Sequence, residues 1–296
     1  MTHDLQADVR RGALLLVGAA LAFSTMGAFI KGVSAGLDFE MVVFFRSLFG
    51  LLALLPWMLR HGLRDLATAH WGLHLGRSLT GLAAMYCFFF ALAHLDLGLG
   101  VLLNYTAPLF TPVIAGVWLG EPVTRRLYAA ITTGFLGIVL ILKPGFGTLQ
   151  PAALIGLASG VLAAWAFVWI RRLSPTEPAT RTVFYYSLLS TLVAAVPLFW
   201  RWHTPEPREW LFLGAIGVCA TLGQLLLTRA YGLAPVARIG PFTYAAVVFA
   251  ALYGWWFWRE VPGPLTVAGM VLVCLAGILA LRRPAPVAEA RPEPGA

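Results

Sequence analysis

The sequence predicts an all-α integral membrane protein of ten transmembrane helices, built as two inverted five-helix repeats with both termini cytoplasmic. Three observations predict it. Of 296 residues, 59% are hydrophobic and only 11% are charged, against roughly 25% charged in soluble domains. Ten apolar segments follow one another, each near the roughly 20 residues a helix needs to cross a hydrocarbon core of ~30 Å. The chain also aligns with itself. Residues 71–121 lie over 210–260 without a gap at a shift of 139, placing Trp71 on Trp210, Tyr105 on Tyr244 and Glu121 on Glu260. Because five is odd, the second copy must enter the membrane from the opposite side.

The segments run over 12–33, 39–59, 73–93, 98–119, 126–143, 152–170, 181–200, 210–230, 237–258 and 264–281. They divide into a cytoplasmic N-terminus (1–11), a first repeat (12–143), a second repeat (152–282) and a Pro- and Ala-rich tail (284–296) expected to be disordered and cytoplasmic. Segment 1 follows Arg10-Arg11 and contains Ala20-Leu21-Ala22, which imitates a signal peptide. The repeat argues for an uncleaved helix, since Leu21-Ala22 aligns with Leu162-Ala163 and Lys31 with Arg172 at a shift of 141. In segments 2 and 7, Val43–Leu48 meets Val183–Leu188 at a shift of 140, and Pro56 matches Pro197 at 141. Segments 4 and 9 carry Pro108, Pro112 and Pro241, hinge or structural positions where proline frees backbone carbonyls and bends the helix. Gly116-xxx-Gly120 and Gly156-xxx-Gly160 allow close helix contact, within one chain or in a homodimer.

Orientation follows from basic residues. Fourteen Lys and Arg fall in the termini and even-numbered loops, and five in the odd-numbered loops. The positive-inside rule then places both termini in the cytoplasm. The net charge of +8 is spread along loops, so it reads as topology and not as a nucleic-acid surface.

Two basic residues lie inside segments. Arg46 sits about seven residues into segment 2, roughly 11 Å from its outer end. A charge there costs several kcal/mol unless it pairs, snorkels or faces water. It reads as a cavity arginine for an anionic group, or as a structural tie; its repeat mate is Tyr186, so packing does not demand the charge in both halves. Arg77, about six residues into segment 3, is read more cheaply as snorkelling and is a second-rank binding residue. Neutral polar and aromatic residues cluster mid-segment. Tyr86, Asn104, Tyr105, Trp165, Tyr186, Gln224 and Tyr244 join Arg46 as cavity candidates, with Thr25, Trp169 and Thr243 behind them. A wet cavity with aromatic walls satisfies such groups and suits an amphipathic organic solute.

Other chemistries fit poorly. Carboxylates are missing from mid-segment, so the sequence offers no obvious proton relay. Glu121 and Glu260 read as interfacial carboxylates that pair with Arg125 or Arg259 or fix a turn. His70 and His74, four apart with His61 and Asp65 nearby, lack a sensibly spaced third ligand for a metal. Cys87, Cys219 and Cys274 are far apart and form no disulfide or zinc pattern. No cofactor or ATPase motif, nucleophile elbow or paired carboxylate marks an enzyme. A membrane-embedded lipid-processing enzyme is the remaining reading from another class.

Several short runs together resemble the drug/metabolite transporter superfamily, and specifically its EamA-type ten-helix members. These are Lys31, Phe45-Arg46-Ser47, Phe90-Ala91-Leu92, Pro108-Leu109-Phe110, Leu119-Gly120-Glu121, Gly134 and Gly137, then Ala230-Tyr231, Arg259-Glu260, Gly269 and Gly277. The resemblance covers 12–282. Val247 stands where the first half has Pro108, and Tyr186 where it has Arg46. The resemblance implies a multi-pass protein of a bacterial-type inner membrane, in contact with lipid, that carries small organic solutes by alternating access. It implies no cofactor and no nucleic-acid partner. Relatives move amino acids, riboflavin, S-adenosylmethionine, opine-type metallophores or drugs. Many bacterial members are exporters, so the resemblance favours export, and Arg46 among aromatics best suits an amino-acid-like or amino-acid-derived solute; uptake of a vitamin or cofactor is the alternative.

Overall fold

The computed structural model describes residues 2–33, 37–62, 66–94, 103–121, 124–142, 151–259, 261 and 263–281. The described residues are helical, with no strand among them. In chain order the helices are α1 (Thr2–Val33), α2 (Phe39–Leu52), α3 (Leu55–His61), α4 (Trp71–His94), α5 (Ala107–Leu119), α6 (Arg125–Leu142), α7 (Pro151–Leu173), α8 (Ala179–Ala194), α9 (Leu198–Arg201), α10 (Pro207–Leu233), α11 (Val236–Ile239), α12 (Ala245–Trp258) and α13 (Pro264–Leu281). A 3₁₀ turn (Gly240–Tyr244) joins α11 to α12.

The sequence explains where these helices start and stop. Pro151, Pro207 and Pro264 open α7, α10 and α13, positions where the missing N–H costs nothing. At the head of α10 the Glu206 N–H donates to the Glu209 carboxylate at 2.7 Å, half of a capping box. α5 ends on Gly120 and α12 on Arg259, both left-handed (φ +67 and +57). These two residues are repeat mates at a shift of 139. The first half uses the residue suited to this geometry, and the second half carries it on an arginine.

Four of the expected segments are broken. Segment 2 splits at Ala53–Leu54 ahead of Pro56, and segment 7 at Ala195–Pro197. Proline removes a backbone donor and clashes with the preceding turn, so the aligned prolines break both copies. Segment 9 runs through the 3₁₀ turn. In segment 4, Tyr105–Thr106 forms a turn ahead of α5. The two interruptions align across the repeats. Hydroxyls patch the exposed carbonyls: Thr106 donates to Leu103 O (2.6 Å) and Thr243 to Gly240 O (2.8 Å).

Packing exchanges elements between repeats. α1 lies against α10, and its counterpart α7 against α4. α1 also meets α12, and α7 meets α5. α2 touches α10, and α4 touches α8; α6 pairs with α13, and α2 with α8. Each contact has its mate, so the halves hold one another and neither forms a separate core. Glycines permit the closest approaches. Thr221 Oγ1 donates to Gly50 O at 2.9 Å, and a Cβ on Gly50 would come within 2.8 Å of that hydroxyl. Gly156 and Gly160 face Leu103 and Thr106, so this glycine pair serves a contact within the chain and not a dimer. Paired cations cap the two repeats alike: Lys31 Nζ lies 4.5 Å from the Trp258 ring, and the Arg172 guanidinium 5.1 Å from that of Trp118.

The outer surface is apolar, with Val117, Phe199, Trp256 and Leu211 largely exposed, as lipid contact requires. Among the described residues, five helical stretches are long and apolar enough to cross a membrane: Ala7–Gly32, Glu40–Arg60, Pro151–Leu173, Pro207–Leu233 and Val236–Trp258. Ala107–Leu119 and Pro264–Ala276 are shorter apolar helices.

Candidate functional site

Two cavities meet at Gln224, half-buried on α10. The first is a cleft of about 10 Å³ lined by Arg46, Ser47, Gly50, Tyr186, Ser187, Ala220, Thr221 and Gln224. It has room for roughly one water. The second is a chamber of about 230 Å³ lined by Leu16, Ala19, Ala20 and Phe23 of α1, Asn104, Tyr105, Ala107 and Pro108 around the interruption ahead of α5, Ala163 and Phe167 of α7, Gln224 and Leu227 of α10, and Thr243 and Ala246. Both helix interruptions therefore open onto this chamber, where freed backbone groups and a ligand can use one another.

Two cations stand at the cleft: Arg46 lines it, and Arg77 lies behind its Tyr186 and Gln224 walls. Arg46 and Arg77 are 9% and 4% exposed. Among the described residues neither makes an ion pair with a carboxylate. Arg77 Nη2 donates to Gln224 Oε1 at 3.0 Å, and its guanidinium lies 4.2 Å from the Tyr186 ring centre. Arg46 Nη1 donates to the Met85 sulfur at 2.9 Å, a weak acceptor, and the guanidinium also meets the Tyr186 hydroxyl. Arg46 Nε and Arg77 Nε and Nη1 are buried without a hydrogen-bond partner, and the two cations repel one another. Two desolvated guanidinium groups with unused donors can receive an anion, and planar forks suit carboxylates.

Arg77 does not snorkel. Gly81, one turn on, has no side chain; a Cβ there would collide with Arg77 Nη1 and approach Tyr186 at 3.1 Å. This small residue lets the guanidinium fold inward, where the Tyr186 face and the Gln224 amide receive it.

The remaining predicted residues divide. Arg46, Tyr186 and Gln224 line the cleft; Asn104, Tyr105, Thr243, Gln224 and Pro108 line the chamber. Asn104 Nδ2 also donates to Ser159 Oγ at 3.2 Å. Tyr244 packs elsewhere, fully buried against Ile138, Val247 and Val273, and its ring occupies the space left by Gly134. Trp165 and Trp169 stand around Trp118, with centroids 5.2 and 4.4 Å away, and Trp169 lies on Gly76. Trp118 is thus the hub of an aromatic cluster and not a simple interfacial anchor. Thr25 Oγ1 contacts Tyr253 Oη at 2.7 Å. Tyr86 is half-buried on α4 and lines neither cavity. Pro112 is buried inside α5, and Pro241 opens the 3₁₀ turn.

Glu121 takes a different partner from those expected. Arg171 Nε meets its carboxylate at 3.3 Å, and Arg171 Nη1 donates to Tyr231 O and Gly232 O at 3.2 and 2.8 Å. One arginine at the end of α7 thereby ties the ends of α5 and α10. Glu260 lies outside the described residues. Sequence reasoning missed Phe23, Phe167, Met85 and Thr221, which look like ordinary apolar or small core residues. It also missed Glu177, whose i,i+4 spacing to Arg181 was the available signal.

Comparison with known proteins places the fold in a family. The model of the EamA-like transporter family matches residues 10–143 and again 150–282. The pseudopaline exporter CntI of Pseudomonas aeruginosa is 38% identical over 273 residues, covering 91% of this chain and 95% of that protein. A riboflavin transporter of Vibrio cholerae is 29% identical, covering 92% and 91%. An S-adenosylmethionine uptake transporter of Rickettsia felis is 24% identical, covering 78% and 79%. A solved crystal structure superposes with a TM-score of 0.77 at 19% identity, over 95% of this chain and 96% of that one, and shares the fold. With a family match to each repeat and a relative this similar over nearly its whole length, the chain belongs to the EamA-like transporter family.

Proposed function

We propose that this membrane transporter exports an amino-acid-derived, carboxylate-bearing solute of the metallophore class. The observation that carries the proposal is the pair of buried guanidinium groups without carboxylate partners, set beside a chamber of amide, hydroxyl and aromatic groups. The carboxylate end of the cargo sits in the arginine cleft. Its body lies past Gln224 against Phe23, Phe167, Asn104 and Tyr105. The 38% identity to a pseudopaline exporter supports the same class and direction. The uptake relatives are more distant, at 29% and 24%. S-adenosylmethionine also brings a sulfonium charge that two arginines oppose.

Five spans per repeat, related by inversion, let the chamber face each side in turn. The basic loops put both termini in the cytoplasm. Lipid covers the apolar outer surface, and no enzymatic step is required. Comparative metabolomics tests the proposal. A deletion strain is expected to hold the solute inside and lack it in the medium. Depletion inside the cells, reversed by feeding the solute, would make the protein an importer.

A further inference from the structure

A second buried polar cluster lies away from the cargo chamber, where the two repeats meet at one end of the bundle. Glu177, in the turn between α7 and α8, is only 5% exposed. Its Oε1 accepts from the Thr68 hydroxyl at 2.5 Å, and its Oε2 accepts from Arg181 Nη1 at 2.7 Å. Thr68 in turn accepts the His70 N–H at 2.9 Å. His74, on the first turn of α4 and 2% exposed, places Nε2 3.4 Å from the same Glu177 Oε2. At that distance Nε2 makes no more than a long, weak contact with the carboxylate, and Nδ1 has no hydrogen-bond partner among the described residues. The Tyr185 ring covers the imidazole at 4.5 Å, and the Tyr185 hydroxyl donates to Leu66 O at 2.6 Å. Thr68, His70 and His74 belong to the first repeat; Glu177, Arg181 and Tyr185 belong to the second. The cluster therefore ties the halves together. Among the described residues it has no counterpart at the other end, since the residue aligned with His74 at a shift of 139 is Leu213 and the one aligned with Glu177 at 140 is Leu37.

We propose that His74 is a proton-binding site, and that its protonation releases this tie between the repeats. The groups facing His74 are Glu177 from the α7–α8 turn, Arg181 and Tyr185 from α8, and His70 from the connection before α4. Only one of them is an anion, and its nearer oxygen already holds the Arg181 guanidinium. A proton on His74 would put a second buried cation on that oxygen, facing Arg181, with the other ring N–H unpaired. Burying a charge without its own partner is costly. Opening the tie lets water reach the imidazolium. Neutral His74 carries no such cost and fills its slot as an aromatic ring. Glu177 stays ionised through this change. Burial alone would push its carboxyl up, but the hydrogen bonds from Thr68 and Arg181 and the Arg181 charge outweigh that and hold it below its ordinary value. Histidine is thus the group that changes charge between pH 5 and 8.

The test needs no cargo, so it stands or falls apart from the export reading. Spin labels go on the exposed positions Ala67 and Thr176, which flank the tie, in full-length protein with Cys87, Cys219 and Cys274 replaced by serine. The distance distribution is measured by electron–electron double resonance in lipid nanodiscs from pH 8 to pH 5. We expect a longer component to grow on acidification by up to about tenfold per pH unit, the limit for one proton. His74→Gln should keep the short distance throughout, His70→Gln should respond as wild type, and Glu177→Gln should show the long distance at every pH. An unchanged wild-type distance, a tightening in acid, or an acid response that survives His74→Gln would overturn the proposal. If His74→Gln fails to fold, a wild-type-like acid response in Glu177→Gln overturns it equally.

Discussion

Replacing Arg46 with methionine separates a binding arginine from a structural one. The substitution keeps length and flexibility but removes the charge. Arg46 gives little back to the fold: Nη1 donates to the Met85 sulfur, the Tyr186 hydroxyl is its neutral partner, Nε has no partner among the described residues, and Arg77 repels it. A buried charge at the centre of a membrane helix costs about 2.5–3.5 kcal/mol on insertion scales. Weak compensation leaves a net cost of about 1–2 kcal/mol, which methionine removes. Arg46→Met should therefore raise the thermal midpoint in detergent by a few degrees. The same change deletes a charged hydrogen bond to the cargo carboxylate, about 1.5–3 kcal/mol, or roughly 10- to 150-fold in affinity. The assay is paired: thermal unfolding of the purified variant, and export of the metabolomically identified solute from cells at matched expression. Higher stability with export reduced at least tenfold is the expected result. A fall of several degrees with export intact would refute the reasoning, because Arg46 would then be holding the fold.

Four further outcomes follow from named contacts. Gly81→Ala should drive Arg77 off Tyr186 and Gln224, weakening export at least tenfold with near-normal yield in membranes; wild-type flux would count against a role for Arg77. Gly120→Ala should lower stability by about 1 kcal/mol, whereas Arg259→Gly should raise it by up to ~1 kcal/mol, since both sites are left-handed caps; thermal midpoints of the two variants read the opposite signs. Gly160→Val should abolish the folded protein, because Thr106 and the Leu103 carbonyl occupy the space its side chain would need, and size-exclusion profiles check this. Glu177, held below its ordinary pKa, contributes stability that is fully present above the unfolded value of about 4.3 and is lost as pH falls through the lowered folded value. Below about pH 4 the wild-type midpoint should drop more steeply than that of Glu177→Gln.

Much of the fold was legible because membrane insertion imposes a one-dimensional rule. Each span must be apolar and long enough, so segment positions, the repeat and the family resemblance follow from local composition. The aligned prolines Pro56 and Pro197 likewise predicted bends that the structure realises as breaks, since proline acts on its own turn. Arg46, Tyr186, Gln224, Asn104 and Tyr105 stood out as polar groups too deep to be cheap, and the structure gathers them around two cavities that share Gln224.

What the sequence could not decide was direction around each helix axis and partners distant in the chain. Tyr105 and Tyr244 are repeat mates of the same residue type, yet one lines the chamber and the other fills a core against Gly134. Arg77 looked like a snorkelling residue until Gly81 and Tyr186 were seen to leave it an inward path. Glu121 could be assigned to the near arginines by sequence, but Arg171, fifty positions away, reaches it because α5 and α7 lie side by side. His74 and Glu177 carry no mutual signal across more than a hundred residues, and only the docking of the two repeats brings the imidazole to the carboxylate. The sequence by itself determined that the chain is a doubled bundle of membrane helices with a few polar groups too costly to be idle. The tertiary structure decided which of those groups face one another, because contact between distant helices depends on rotation and side-chain volume at the crossing, which hydropathy and periodicity do not encode.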